Sequence, residues 1–467
     1  MISAFVGRKK ELTLIEKEWD KNKGSLVVLY GRRRIGKTRL LTEFSKDKRG
    51  VFYVAEDVSP HIQRARFKEK LAEFLDDELL RSLDFKDWDQ VFAYFTKNLP
   101  EKRFYLCIDE FSYLIKNDKS ILSSLQKYWD SSLSASNICI VLSGSMLGLM
   151  SELVLSHASP LYGRRSRDIL LEGLPFSDAL NLLEMSFEDS MKTYMVLGGV
   201  PEYLIKAAEY KSLDAFLKNE FFDRYGYFYR EPYFIISQEF RELKTYFSIL
   251  DAVASKNTRP SEIANFVGIE TRKLYPYIEN LIRLGFLERR ISLFGSDKKG
   301  IYLIKDQIFD FWFNFVSRNR EAIERENFRP NPEALTMYFA KKFETFVEHE
   351  FLPLGLPLAQ RTGRWWHKEE EIDVLALNES ENEITFIECK WRNLTRTQAR
   401  KFLKDLKRKA TLVRWKNEVR NETFGLVVKE IEGKENIREN GDLIFDLKDF
   451  EKAFSSKELQ PPNMGNI

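Results

Sequence analysis

Leu26-Val27-Val28-Leu29-Tyr30 followed at once by Gly31-Arg32-Arg33-Arg34-Ile35-Gly36-Lys37-Thr38 decides the reading of this chain. The five apolar residues suit a strand buried on both faces, and the eight that follow match G-x-x-x-x-G-K-[ST] ahead of a helical pattern. In a strand-loop-helix context the glycines let successive backbone N–H groups converge on phosphate oxygens at a helix N-terminus. Lys37 then reaches the β and γ oxygens, and the Thr38 hydroxyl is a Mg²⁺ ligand. Gly31, Arg32, Arg33, Arg34, Ile35, Gly36, Lys37, Thr38 and the adjoining Arg39 form the expected cradle, with ATP, ADP and Mg²⁺ as its expected occupants. The plain alternative is a glycine-containing turn with a surface lysine.

Working outward, four more short apolar runs alternate with helical stretches: Val51 to Val54, Phe104 to Ile108, Ile138 to Leu142 and Ile169 to Leu171. That rhythm predicts an α/β fold with a parallel sheet covered on both faces. Phe104 to Ile108 ends in Asp109-Glu110. Downstream of a phosphate loop, Asp109 is expected in the Mg²⁺ shell and Glu110 is expected to orient or deprotonate the attacking water. Ile138 to Leu142 delivers Ser143-Gly144-Ser145 to the same sheet edge, where the Ser143 hydroxyl is the candidate sensor of the terminal phosphate. Gly163-Arg164-Arg165 offers an arginine in cis or to a neighbouring subunit, or is simply a surface loop.

The 467 residues predict two to four domains. With 74 Lys plus Arg against 71 Asp plus Glu, the net charge of +3 excludes a globally polyanionic or polycationic partner surface, so partners must be read from local patches. No apolar run exceeds five residues, which argues against a membrane span and a signal peptide and for a cytoplasmic location. Cys107, Cys139 and Cys389 are widely spaced within apolar runs, a pattern that excludes a disulfide scaffold and a zinc finger.

Beyond the first sheet, residues 1–175 as ATPase core, the pattern predicts a helical lid over 176–236, broken at Gly198-Gly199-Val200-Pro201. Over 237–326 it predicts a winged helix: a helix from Glu239 to Ala254, a second after Thr258-Arg259-Pro260-Ser261, a third with Thr271 as N-cap, and a hairpin with its tip at Gly295 to Gly300. Arg272, Lys273, Tyr275 and Tyr277 are the candidate groove readers, with Lys298 and Lys299 on the wing, and Pro276 is expected to displace or bend the third helix. An interdomain spacer is the other use of such a module. Asn327 to Pro332 reads as a linker, 333–454 as a third domain of helix-strand-strand-helix-strand pattern, and 455–467 as a polar tail.

In that third domain, Glu371 to Ala376 and Ile384 to Lys390 read as a hairpin around Asn378 to Asn382. Alternation puts Glu388 and Lys390 on one face and Cys389 on the other. With Asp373 alongside, Asp373 and Glu388 can hold Mg²⁺ while Lys390 positions a water against a phosphate. Lys390 to Arg420 carries twelve Lys or Arg against only Asp405 and Glu418. Ala399, Phe402, Leu403, Leu406, Ala410 and Val413 are helix-periodic, which leaves the basic residues on the opposite face for a nucleic-acid backbone or simply for solvent.

Taken together, Phe5-Val6-Gly7-Arg8 with Glu11-Leu12, the Gly31 to Thr38 loop, Asp109-Glu110, Leu161-Tyr162-Gly163-Arg164 and Gly198-Gly199-Val200-Pro201-Glu202-Tyr203-Leu204 resemble the archaeal-type ATPases of the AAA+/STAND superfamily of P-loop NTPases. Those proteins join an ATPase to a winged helix and often to a restriction-endonuclease-like domain, and the Asp373, Glu388 and Lys390 set is similar to the PD-(D/E)xK nuclease pattern. The resemblance implies Val6, Gly7 and Pro201 beside the adenine, and Glu344 as a further metal-side carboxylate, for which a solvent-facing helix acid is the alternative. The implied function is an ATP-hydrolysing switch coupled to a Mg²⁺-dependent DNA nuclease. A regulatory ATPase whose C-terminal domain only binds nucleic acid or protein, and a homo-oligomer sharing arginines between subunits, remain as alternatives.

Overall fold

The structure is a computed structural model and describes residues 5–294, 300–356, 359–438 and 441–456. Two compact units result: Met1–Leu174 with Val200–Ile205, and Pro175–Gly199 with Lys206–Ile467. The first is built on β1 (Ser25–Tyr30), β2 (Gly50–Val54), β3 (Phe104–Asp109), β4 (Ile138–Gly144) and β5 (Arg167–Leu170). All neighbours in this sheet run parallel, in the order β2-β3-β4-β1-β5. β1, β3 and β4 each serve two cores. Leu26, Val28, Leu106, Ile108, Ile140 and Leu142 bury on one side, and Val27, Leu29, Cys107, Cys139 and Val141 on the other. Burial on both faces is why these strands are continuous apolar runs instead of alternating ones. Consecutive parallel strands also bring the C-terminal ends of β1, β3 and β4 to one edge, where α/β folds place their ligands.

The second unit is α/β as well. Its first segment contains the helix Phe187–Leu197, and Phe176 packs its ring 5.0 Å from Phe346 and 4.9 Å from Phe454. The stretch expected as one lid is therefore divided, with 200–205 in the first unit and the flanking helices in the second. The helix Tyr227–Glu239 also runs across the expected boundary at 236, so the next helix starts at Leu243 and not at Glu239.

Three helices, Leu243–Ala254, Pro260–Val267 and Thr271–Arg283, precede an antiparallel pair, β6 (Leu287–Arg290) and β7 (Ile301–Ile304). Gly268 ends the second of these helices at φ 78°, a left-handed position that glycine takes without strain. Glu270, not Thr271, is the N-cap of the third, which continues through Pro276 without a break. Lys298 and Lys299 lie outside the described residues.

Beyond the linker, the helix Pro332–Phe346 leads into β8 (Arg361–His367), β9 (Glu370–Asn378), β10 (Glu383–Leu394), β11 (Asn421–Ile431) and β12 (Leu443–Phe445). The order is β12-β11-β10-β9-β8; β8, β9 and β10 pair antiparallel, while β10, β11 and β12 pair parallel. The helix Arg396–Ala410 provides the crossover a parallel β10-β11 pair needs. β8 and β12 are additions to the expected pattern. One carries no apolar run and the other is three residues long, so neither announces itself by periodicity. The expected end of the domain at 454 falls inside the helix Leu447–Ser456. Among the described residues no helix is long and apolar enough to cross a membrane, and Cys107, Cys139 and Cys389 are free and buried.

Candidate nucleotide site and carboxylate cluster

In the first unit, β1 ends at the loop and the helix Lys37–Ser45 begins directly after Gly36, whose φ of 92° is a conformation that side chains avoid. Gly31 is required for a different reason. A Cβ there would sit 2.5 Å from the Leu171 carbonyl oxygen, because the loop passes hard against the residue after β5. Lys37 Nζ donates to the carbonyls of Gly31 at 2.9 Å and Arg32 at 3.0 Å, which curls the loop around its own cation. Thr38 Oγ1 donates to Asp109 Oδ2 at 2.5 Å, joining the loop to the end of β3. Glu110 follows with φ 51°, and its Oε2 accepts from Ser145 Oγ at 2.5 Å. The Ser143 hydroxyl is fully buried and has no hydrogen-bond partner among the described residues. A buried donor left without an acceptor is uncommon in a folded chain. With the Lys37 cation, the Thr38-Asp109 pair and the exposed N-terminus of the helix, the donor set fits a magnesium nucleotide.

The flanking motifs converge on the same loop. Gly7 and Arg8 both take left-handed backbone conformations, and Arg8 donates to Ile35 O at 3.1 Å and Glu172 O at 2.5 Å. Val6 is half-buried beside them. Pro201 approaches to 3.9 Å from the position of a Cβ at Gly36. Arg34 lies 3.4 Å from Glu202 and 5.6 Å over the Tyr203 ring, and Arg33 donates to Tyr113 Oη at 2.5 Å. Arg39 is exposed on the first turn of the helix. Arg164 is held in a two-pronged pair by Asp130, at 2.8 and 2.7 Å. Sequence reasoning passed over Arg8 as a binder of the loop, although the residue itself lies in the Val-Gly-Arg segment.

In the second unit, alternation along β10 does what the sequence predicts: Cys389 is buried on one face while Glu388 and Lys390 share the other. β9 supplies Asp373, whose Oδ2 accepts from Cys389 N at 2.8 Å. Lys390 Nζ lies 2.6 Å from Glu388 Oε1 and 3.5 Å from Asp373 Oδ2. The crossover helix adds Lys409, 3.7 Å from Glu388 Oε2. That Oε2 is buried and has no hydrogen-bond partner among the described residues, so the donor set around it fits a cation. Glu344 comes from the helix before β8, but it is ion-paired with Arg364, which also reaches to 3.6 Å from Asp373. Among the described residues no group of three His, Cys, Asp or Glu side chains is arranged to hold a metal. The expected third ligand is thus occupied by an arginine that no motif disclosed. Burial, helped by the Asp373 charge and opposed by Arg364, pushes the Glu344 carboxyl up to about 7. Burial and Asp373 likewise raise Glu388, against Lys390 and Lys409. The Lys390 ammonium is also raised, since the Asp373 and Glu388 charges overcome its burial.

Along the crossover helix, Arg396, Arg400 and Lys404 recur at four-residue steps and are exposed, with Lys401 beside them. Ala399, Leu403, Leu406 and Ala410 bury the opposite face. On the earlier three-helix module, Lys273 pairs with Glu270 and Tyr277 donates to Glu242 at 2.7 Å, so two of the four candidate groove readers have partners within the chain.

Residues 5–207 match the family described as an ATPase domain predominantly from Archaea, and residues 312–402 match one described as "Archaea bacterial proteins of unknown function". The uncharacterized protein MJECL04 of Methanocaldococcus jannaschii is 33% identical over 469 residues, covering 96% of this chain and 100% of the relative. This chain belongs to that archaeal ATPase family. Two solved structures share 17–19% identity with it. The Walker-type ATPase of Pyrococcus abyssi has 19% identity and a TM-score of 0.47, with 66% of this chain and 96% of its own covered. A STAND protein with a tetratricopeptide repeat sensor from Pyrococcus horikoshii has 17% identity and a TM-score of 0.33, covering 76% and 52%.

Proposed function

We propose that this member of the family is a Mg²⁺-dependent ATP-hydrolysing switch whose nucleotide state governs a nucleic-acid-cleaving C-terminal domain, reached through a winged-helix module. The ATPase half rests on the loop, Asp109 and Glu110 at one sheet edge. Mg²⁺ bound with ATP offsets phosphate charge and draws electrons from the bond to be broken. Thr38 and Asp109 hold the metal side, Lys37 leaves its two carbonyls for phosphate oxygens, and Glu110, fixed by Ser145, orients the attacking water and takes its proton. Ser143 donates its unmatched hydroxyl to the terminal phosphate.

The observation that carries the nuclease half is the meeting of Asp373, Glu388 and Lys390 from two antiparallel strands. Asp373 and Glu388 would hold a divalent ion there, whose chemistry is to activate a water and polarise the phosphodiester. Lys390 holds that water or a phosphate oxygen in place. Arg396, Arg400 and Lys404 track the nucleic-acid backbone on either side. The decisive experiment incubates the full chain with Mn²⁺ or Mg²⁺ and linear, circular, single-stranded and branched DNA, with and without ATP, beside Lys390→Ala and Lys37→Ala. Cleavage lost in Lys390→Ala and altered by ATP or Lys37→Ala is the expected result.

A second reading has its own observation. Every cation of the cluster already faces a carboxylate, and the third acid is paired with Arg364, as in a domain that binds nucleic acid without cutting it. ATP turnover with no cut substrate in any metal would select that regulatory ATPase.

A further inference from the structure

Arg364 sits where the pairing of β8 with β9 shifts register, between Gly363 and Trp365. A bulge of this kind re-aims a side chain that simple alternation would send elsewhere. Here it aims a guanidinium at acids from two other elements: Glu344 Oε2 on the preceding helix, and Asp373 Oδ1 at 3.6 Å and Glu371 Oε2 at 3.9 Å on β9. The bulge is itself held by the segment that follows β6. Leu293 N donates to Arg364 O at 2.9 Å, and Ser292 Oγ both donates to Trp366 O at 3.0 Å and accepts from Trp366 N at 2.9 Å. Leu293 buries in the core beneath the sheet, and Gly363 makes room for it, since a Cβ there would stand 2.8 Å from the leucine.

Glu344, Glu371, Asp373 and Glu388 meet Arg364, Lys390 and Lys409, so each of these three cations already faces a carboxylate. A divalent ion adds two positive charges and so disfavours one of the resident cations. Lys390 and Lys409 both lie against Glu388, and Lys390 also reaches Asp373; among the described residues Arg364 is the cation ion-paired with both Glu344 and Asp373. Its Nε is buried without an acceptor among the described residues.

We propose that Arg364 is a positioning residue of the cluster, set by the β8 bulge and the 292–294 segment: it holds Glu344 and Asp373 toward each other and competes with a divalent ion for them. This rests on reading the cluster as a divalent-ion site. The test is calorimetric titration of Mn²⁺ into the full chain, Arg364→Gln and Arg364→Lys, with Asp373→Asn as the blank that defines binding at this cluster. Loss of a competing cation tightens Mn²⁺ binding, by about tenfold in Arg364→Gln, whereas loss of a purely structural arginine loosens it. Arg364→Lys keeps a cation and stays near the parent value. Equal or weaker binding in Arg364→Gln, with Asp373-dependent binding present in the parent, overturns the role of Arg364 and leaves the ion site standing. Absence of Asp373-dependent binding in both parent and Arg364→Gln overturns the ion site, and the role with it.

Discussion

The two sheets handle charge in opposite ways. At the edge of the parallel sheet Lys37 is bonded to two backbone carbonyls, while Asp109 and Glu110 are bonded to Thr38 and Ser145. These bonds are to neutral partners, which a phosphate or a metal displaces without leaving a bare charge. On the mixed sheet, Lys390, Lys409 and Arg364 are set directly on Glu388, Asp373 and Glu344. Partners of opposite sign must be separated before such a site can take a ligand. The first arrangement suits a site that is filled and emptied at every turnover, and the second suits one whose loading is controlled.

The largest effects come from removing the two lysines. Lys37→Ala should lower ATP hydrolysis by about 10²–10³-fold, the typical loss for one preorganised charge in a transition state, with Mn²⁺ binding at Asp373 unchanged. Phosphate release and calorimetry on the same preparation check both halves. Lys390→Ala should show the mirror pattern, with DNA cleavage falling by about 10²–10³-fold and ATP hydrolysis kept. If Lys390→Ala also silences ATP hydrolysis, or Lys37→Ala abolishes Mn²⁺ binding at Asp373, the contrast between the two sites collapses.

A smaller effect sharpens the contrast on the DNA side. Replacing Arg396, Arg400 and Lys404 by alanine should flatten the dependence of log affinity on log salt by about three, one for each phosphate no longer neutralised, with a similar weakening on every sequence. Fluorescence anisotropy at several salt concentrations measures the slope. An unchanged slope would assign the stripe to solvent.

The same contrast explains what could be read from the chain. The phosphate loop is contiguous: strand, glycines, lysine and threonine occupy thirteen successive residues, and burial on both sheet faces writes the strands as apolar runs. Asp109 and Ser143 follow because they end such runs. The hairpin carrying Asp373, Glu388 and Lys390 is legible for the related reason that side-chain alternation has a fixed period. Arg364 and Lys409 are not legible. One acts from a bulge in a strand with no apolar run, the other from a helix whose many basic residues look alike, and only the register of β8 and the packing of the crossover helix single them out. The lid escaped for another reason: Gly198-Gly199 marks a break, but a break does not say which core each side joins.

Below these stands a packing effect. Gly31→Ala should destabilise the first unit by about 1–3 kcal/mol, because its methyl group would meet the Leu171 carbonyl, and backbone cannot rotate away as a side chain can. Chemical denaturation followed through ATPase activity measures it; a neutral result would mean that the loop and the residue after β5 are less tightly joined than their 2.5 Å approach requires.

The smallest effect is a slope with pH, and it belongs to the carboxylate cluster. Glu344 holds its proton up to about 7 when folded, against an ordinary value of 4.5. Between those values the native state binds more protons than the unfolded chain, so stability falls as pH rises through the window, the reverse of an acid whose pKa is depressed by its partners. The unfavourable charge is absent below the window and fully present above it. Glu344→Gln removes the titrating group, so the loss of melting temperature between about pH 5 and about pH 8 should shrink by a few degrees relative to the parent. A slope that survives Glu344→Gln would place the burial cost on Glu388, the other acid of the cluster raised by burial and by Asp373.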